Sequence, residues 1–163
     1  MRDKKFYFIF IFFLAVLDQL TKALIEHFLD PHQSYSVISG FFNITYLKNR
    51  GAIFGFLNQS SSSWIHILLT VASFFALIFV VYYFLRASES ERTIKLALSL
   101  ILAGAAGNII DRIFRGYVVD FIDLYIQKWH WPSFNVADSC ISIGAVILIL
   151  TIIFKRSSIC CPS

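Results

Sequence analysis

Charged side chains are scarce in this sequence. Only 15% of its 163 residues are Asp, Glu, Lys or Arg, whereas 58% are hydrophobic, and the mean hydropathy is +0.71. A soluble domain carries about 25% charged residues because its surface must be hydrated. An ordinary water-soluble domain is therefore excluded, and lipid is the expected solvent of most of the surface.

The sequence also has few cysteines and no basic face. Cys140, Cys160 and Cys161 form no CxxC pair and have no histidine at metal-ligand spacing, so neither a zinc site nor a disulfide framework is indicated. The net charge of +4 comes from basic residues at segment ends instead of along one polar face. Nucleic acid is therefore not an expected partner, and the basic residues are interpreted as topology signals.

Long apolar segments are abundant. A helix needs about 20 largely apolar residues to cross the hydrocarbon core. Four segments of one predicted membrane domain satisfy this requirement, at about 6–25, 64–85, 94–114 and 136–154. Two outer loops and one cytoplasmic loop connect them, at about 30–63, 115–134 and 86–93. Basic residues concentrate near both termini and after the second span, which predicts that both termini are cytoplasmic.

The first apolar segment also has features of a secretory signal peptide, because basic residues precede it. No small-residue cleavage site follows, and Asp18 and Lys22 continue the helix where a signal would end. A retained span is therefore predicted.

The first outer loop contains the residue pattern of a small sheet. Aromatic and β-branched residues fill 41–47, a turn is expected at 49–51, and 52–57 can return as a second strand. The fold class predicted is thus an all-α polytopic membrane protein with a small extracytoplasmic sheet in its first outer loop. Four aromatic residues of the second outer loop suit a belt at headgroup level: Tyr117, Tyr125, Trp129 and Trp131.

Several ionisable residues lie inside the apolar segments. Each costs at least ~2.5 kcal/mol near the bilayer centre, so each needs a partner or a task. With a helical rise of ~1.5 Å per residue, five of them lie in the outer third of the membrane: Asp18, Lys22, Asp111, Arg112 and Asp138.

Asp18 and Lys22 are four residues apart on one helix face, which favours an ion pair with a structural role. Arg112 either extends to the headgroups or binds a substrate carbonyl, and the sequence does not favour one over the other. Gly104 and Gly107 favour a close-packing helix surface.

Asp120 and Asp138 flank the second outer loop and lack a basic residue three or four positions away. Two carboxylates in contact in apolar surroundings cannot both ionise, so one keeps a proton at neutral pH. Aspartic proteases use this arrangement, in which one carboxylate takes a proton from water and the other donates to the oxyanion. Two alternatives stay open. Asp138 could simply cap its helix near Asn135, or Asp123, which would share a helix face with Asp120, could be catalytic.

The sequence resembles the lipoprotein signal peptidases, also called signal peptidase II, almost from end to end. The resemblance rests on four sequence motifs that occur in the same order as in the family. They are 18–22 (DQLTK), 49–55 (NRGAIFG), a third motif in two parts at 104–112 (GAAGNIIDR) and 116–121 (GYVVDF), and 131–139 (WPSFNVADS). The VVDF match favours Asp120 over Asp123.

The resemblance implies an intramembrane aspartic endopeptidase that removes the signal peptide from diacylglyceryl-modified bacterial prolipoproteins, cleaving before the lipidated cysteine. It implies that Asp120 and Asp138 are the catalytic pair. Four polar residues would line the substrate channel: Asn49, Asn108, Arg112 and Asn135. Three would support the fold or the site: Asp18, Lys22 and Asp111.

The family resemblance further implies a multi-pass protein of the bacterial inner membrane with its active site toward the periplasmic face. The outer-loop strands would form a β-cradle on the membrane surface, and globomycin-type inhibitors would block the carboxylates. No metal or other cofactor is implied. Expected partners are lipid-modified prolipoproteins and membrane lipids, and a monomer is expected.

Two other functions compete on the residues alone. A small transporter or channel subunit would use the buried charges as an ion path, although the sequence has no internal repeat. A non-catalytic scaffold would use Gly104 and Gly107 for assembly, but it gives no task to the two unpaired carboxylates.

Overall fold

The computed structural model describes residues 2–50 and 63–160 of the chain. It contains four long helices in these ranges: α1 (Arg2–Phe28), α2 (Ser63–Arg86), α3 (Arg92–Phe114) and α4 (Val136–Cys160). Each is long and apolar enough to span a bilayer. The prediction of four such helices is therefore confirmed.

The helix ends follow local backbone chemistry. α1 ends at Phe28, shortly before Pro31, and a proline disfavours helical backbone in the residue that precedes it. α3 ends at Phe114 and is followed by Arg115 and then Gly116, whose φ is +75°. A glycine accepts this left-handed conformation without steric cost, so the chain turns sharply from α3 into the next strand.

An antiparallel four-stranded sheet lies at one end of the helices. Its strands are β1 (Ser34–Ile38), β2 (Phe42–Asn49), β3 (Val118–Ile126) and β4 (Trp129–His130), in that spatial order. The predicted small sheet is present, and β1 and β2 lie in the segment predicted as the first outer loop. β3 and β4 were not predicted, and they come from the segment predicted as the second outer loop. The sequence VVDFIDLYI is rich in β-branched and aromatic residues and pairs with β2. The predicted strand at 52–57 lies outside the described residues.

β2 carries an irregularity in its pairing with β3. Ile44 pairs with Ile122 and Leu47 pairs with Asp120, so three steps along β2 match two steps along β3. Side chains alternate along a strand, and one extra residue therefore reverses which face the following side chains occupy. Beyond this bulge, Asn49 lies on the face of Asp120.

Large apolar side chains cover the outside of the helices. Phe12 is 71% exposed, Leu68 67% and Phe75 66%, which in water would form an extensive unfavourable surface. The buried apolar cluster is small and lies far from the sheet, around Tyr7 and Phe84. The exterior is thus matched to hydrocarbon, whereas most of the buried charged side chains lie near the sheet, among buried apolar ones such as Val119.

Small residues let α3 approach its neighbours closely. A Cβ added to Gly107 would lie 2.5 Å from Asp18 Oδ2 of α1, and one added to Gly104 would collide with the Ala137 carbonyl oxygen of α4. Both contacts need hydrogen in place of a side chain. The prediction of a close-packing surface at these two glycines is confirmed.

Candidate active site

A buried ion cluster joins α1 to α3 beneath the sheet. Lys22 is fully buried, and its Nζ lies 2.8 Å from Asp18 Oδ2 and 2.8 Å from Asp111 Oδ2. The predicted Asp18–Lys22 ion pair is confirmed, and Asp111 is a second carboxylate on the same ammonium. Buried charges are stable only when paired and hydrogen-bonded, which this cluster provides.

Asp111 also connects the helices to the sheet. Its Oδ2 accepts a hydrogen bond from the backbone N–H of Val119 at 3.2 Å, and its Oδ1 accepts from Gln19 at 3.0 Å and from Arg115 at 2.5 Å. Arg115 in turn donates to Glu26 at the end of α1, at 2.9 Å. The sequence analysis did not identify Gln19 or Arg115, although the spacing of Asp111 and Arg115 is that of an i,i+4 helix pair. Asp111 therefore fixes the backbone of β3 immediately before Asp120.

Asn135 caps the N-terminus of α4. Its Oδ1 accepts from the Asp138 backbone N–H at 2.9 Å, and Asp138 Oδ2 accepts from the Asn135 backbone N–H at 3.3 Å. This is the reciprocal geometry of a capping box, so Asn135 is the capping residue and Asp138 lies in the first turn. The Ala137 N–H is bound separately by Asp18 Oδ1 at 2.9 Å. Asp138 thus completes the cap with Oδ2, which leaves Oδ1 to accept a hydrogen bond from Asn108.

Asp120 is buried on β3 between two asparagine amides. Asn49 Nδ2 donates to its Oδ2 at 2.8 Å, and Asn135 Nδ2 donates to its Oδ1 at 2.8 Å. A backbone N–H can only donate, so the one from Asp138 holds the Asn135 oxygen and turns the Asn135 NH₂ toward Asp120. Asn135 is therefore a direct bridge between the two carboxylate residues.

The two carboxylates share an electrostatic environment. Asp138 Oδ1 accepts from Asn108 Nδ2 at 2.7 Å, and Asp138 acts electrostatically on Asp120. Burial, and then the charge of Asp138, raise the pKa of Asp120 to about 7, although hydrogen bonds from Asn49 and Asn135 oppose this rise. Within residues 2–50 and 63–160, neither Asp120 nor Asp138 has a cationic partner within 4.0 Å.

Asp123 does not share a face with Asp120. The expectation that both lie on a helix was wrong, because 118–126 is a strand and residues three apart on a strand point to opposite faces. Asp123 accepts from Asn43 Nδ2 at 2.9 Å and lies 2.8 Å from His130 Nδ1. It therefore belongs to a separate cluster of the sheet.

Arg112 is half-buried on α3 near both carboxylates. It donates to the Asn108 carbonyl at 3.4 Å and interacts electrostatically with Asp138 and Asp120. In the described part of the chain it forms no ion pair within 4.0 Å.

The nine predicted site residues form one connected group at one end of the sheet. Each contacts at least one other member through a hydrogen bond or an ion pair.

Comparisons with known proteins identify the family. The family model described as signal peptidase (SPase) II matches residues 10–154. A lipoprotein signal peptidase of Francisella tularensis subsp. novicida is 41% identical over 96% of each chain, and one of Syntrophus aciditrophicus is 41% identical over 88% of this chain and 89% of its own. A bacterial membrane enzyme structure determined in meso at 2.3 Å has a TM-score of 0.80 and 35% identity, covering 94% of this chain and 91% of that one.

A second bacterial membrane enzyme structure, determined in meso at 1.9 Å, has a TM-score of 0.77 and 36% identity, covering 91% of this chain and 92% of that one. Sequence family and fold thus agree over nearly the whole chain. The chain therefore belongs to the signal peptidase II family and is a membrane protease that cleaves signal peptides from lipoprotein precursors.

Proposed function

We propose that Asp120 and Asp138 are the catalytic pair of this peptidase. The observation that carries the proposal is the bridge through Asn135, which binds the Asp120 carboxylate and the Asp138 backbone at 2.8 and 2.9 Å. The bridge connects the two carboxylate residues, and no cation among the described residues lies within 4.0 Å of either carboxylate. Such a pair retains one proton near neutral pH, as acid–base catalysis of amide hydrolysis requires.

The reaction follows from that shared proton. The ionised carboxylate accepts a proton from water as the water oxygen attacks the peptide carbonyl carbon, and the protonated carboxylate donates to the carbonyl oxygen. The tetrahedral intermediate then collapses: one of its hydroxyl groups returns a proton to the ionised carboxylate as the C=O bond re-forms, the C–N bond breaks, and the leaving nitrogen takes a proton from the other carboxylate. Water is the nucleophile, so no covalent acyl-enzyme forms.

The surrounding polar groups divide into two roles in this proposal. Asn49, Asn108 and Asn135 each donate an amide N–H to a carboxylate of the pair, so they orient the pair as well as line the channel. Arg112 has five N–H donors and lies beside the carboxylates without an ion pair among the described residues, which suits contact with substrate carbonyls. Asp18, Lys22 and Asp111 hold the helices beneath the site.

We place the protein in the bacterial inner membrane with both termini cytoplasmic and the sheet, as a β-cradle, at the periplasmic surface. Basic residues near the termini and after α2 support this orientation. Trp129 on β4 is 84% exposed and Trp131, just after β4, is 69% exposed, as side chains at headgroup level would be. The substrate is then a diacylglyceryl-modified prolipoprotein that diffuses in the bilayer to a monomeric enzyme, and a globomycin-type inhibitor would occupy the same cleft.

The decisive experiment compares three Asp→Asn variants of the detergent-purified protein on a diacylglyceryl-modified prolipoprotein. Asp120→Asn and Asp138→Asn should abolish nearly all cleavage before the lipidated cysteine while the protein stays folded. Asp123→Asn is the matched control, because Asp123 is a buried carboxylate of the same strand with partners outside the pair. It should retain cleavage that globomycin inhibits.

Substantial cleavage by folded Asp120→Asn or Asp138→Asn would refute the assignment of the pair. Loss of cleavage in Asp123→Asn alone would move the catalytic role to Asp123.

A further inference from the structure

Lys22 has more contacts than an ion-pairing role requires. It binds carboxylates of Asp18 and Asp111, each at 2.8 Å, and these two negative charges already exceed its own. Its Nζ also donates to the neutral amide oxygen Oδ1 of Asn108, at 3.2 Å. Lys22 and Asn108 are both buried, so this third hydrogen bond forms away from water.

The contact with Lys22 determines how the Asn108 amide is oriented. An ammonium group has donors and no acceptor, so the amide atom that faces it must be the oxygen. The NH₂ group then points the other way, to Asp138 Oδ1 at 2.7 Å. In the reverse orientation, the amide oxygen would face a carboxylate and the NH₂ would face an ammonium, which are both repulsive contacts.

Other groups act on Asp138 and Asn108 less directly. Asn135 Nδ2 also approaches Asn108 Oδ1, but at 3.5 Å it is a weak donor to that oxygen. Arg112 of α3 and Asp120 of β3 interact electrostatically with Asp138, and neither has a hydrogen bond to the Asn108 amide group. The strong donor on the amide oxygen is therefore Lys22.

We propose that Lys22 is a positioning residue for the peptidase reaction, which acts by holding the Asn108 amide in the orientation that donates to Asp138. It acts through two hydrogen bonds in series, and its side chain is fully buried, so it is a positioning and not a catalytic residue. The inference rests on the proposed catalytic pair and gives Lys22 a task beyond the ion pair that holds α1 to α3.

The test is a double-mutant cycle on kcat and KM, with Lys22→Met and Asn108→Ala. Met has a similar length but cannot donate, so the Asn108 amide is free to turn. Losing a hydrogen bond to a charged group corresponds to about a tenfold or larger loss of rate, and we expect this in kcat with KM nearly unchanged. The double variant should be no slower than the slower single variant, because both changes break the same series of contacts.

Two further variants separate positioning from folding. Arg115→Met removes the ion pairs of Arg115 with Glu26 and Asp111 and leaves the Lys22–Asn108–Asp138 contacts intact, so it should lower the melting temperature but keep kcat within about threefold. Asn108→Asp keeps a partner for Lys22 but has no N–H for Asp138, so it should fold and lose kcat. If Lys22→Met does not fold, this variant carries the test.

Multiplicative losses in the cycle would mean that Lys22 acts through its charge alone and would overturn the inference. A loss in Lys22→Met that matches its unfolded fraction, or full kcat in folded Asn108→Asp, would overturn it too. Failure of the catalytic pair is a separate result, because it appears as turnover by Asp138→Asn.

Discussion

Asn49, at the end of β2, should influence the pH above which activity declines. Asn49 Nδ2 donates to Asp120 Oδ2 at 2.8 Å, and this hydrogen bond favours the ionised carboxylate. Burial first, and then Asp138, raise the pKa of Asp120 to about 7, so the wild-type rate should decline above about pH 7 as the pair loses its shared proton. In Asn49→Ala the opposing hydrogen bond is gone, the pKa of Asp120 rises further, and the decline should begin at higher pH.

The size of this shift follows from the contact. A hydrogen bond to a charged group contributes about 1.5–3 kcal/mol, and one pH unit corresponds to about 1.4 kcal/mol. Water that enters the space left by the asparagine restores part of the interaction, so we expect an upward shift of about one pH unit. The assay is kcat against pH on a lipid-modified prolipoprotein peptide, since the position of the alkaline limb is independent of any loss in substrate affinity.

The same strand provides the control. Asn43 donates to Asp123 at 2.9 Å in the way that Asn49 donates to Asp120. Asn43→Ala should therefore leave the alkaline limb in place. A limb that is unchanged or moves to lower pH in Asn49→Ala would refute the reasoning, and a limb that moves only in Asn43→Ala would identify Asp123 as the titrating group.

Two predictions concern the support beneath the site. Gly107→Ala should lower the free energy of unfolding by about 1–3 kcal/mol in a denaturation experiment, because its Cβ would press on Asp18; an unchanged value would mean that α1 and α3 separate easily. Asp18→Ala should lower the melting temperature more than Asp18→Asn, because Asn keeps an acceptor for the Ala137 N–H. Equal melting temperatures would show that only the loss of the negative charge beside Lys22 matters.

The helices and the positions of the charges along them could be predicted from the sequence. Both depend only on counting residues within a single segment of the chain. Apolar segment length determines which segments can span a bilayer, and a fixed rise per residue gives how far along its helix each of Asp18, Asp111 and Asp138 lies. Asp18 and Lys22 are neighbours on one helix turn, so their ion pair needed no knowledge of the rest of the fold.

The sheet and the hydrogen bonds of the site could not be predicted in the same way. β3 is stable because it pairs with β2, whose paired residues lie 69 to 82 positions earlier in sequence, and the local sequence pattern of β3 does not identify this partner. Asp120 and Asp123 have a spacing that fits one helix face, and only the strand assignment separates them. The orientation of the Asn108 amide likewise depends on Lys22, which is 86 residues away.

The bulge in β2 makes the length of this strand matter more than much of its composition. Asn43 and Asn49 are an even number of residues apart, so on a regular strand both would point toward the same face. Because of the extra residue between Ile44 and Leu47, Asn43 donates to Asp123 on one face of the sheet and Asn49 donates to Asp120 on the other. A substitution at 45 or 46 that keeps β2 paired with β3 would preserve that division, whereas deletion of a single residue there would turn Asn49 away from Asp120. Natural relatives of this chain should therefore keep the number of residues between these two asparagines constant, even where the residues of the bulge differ.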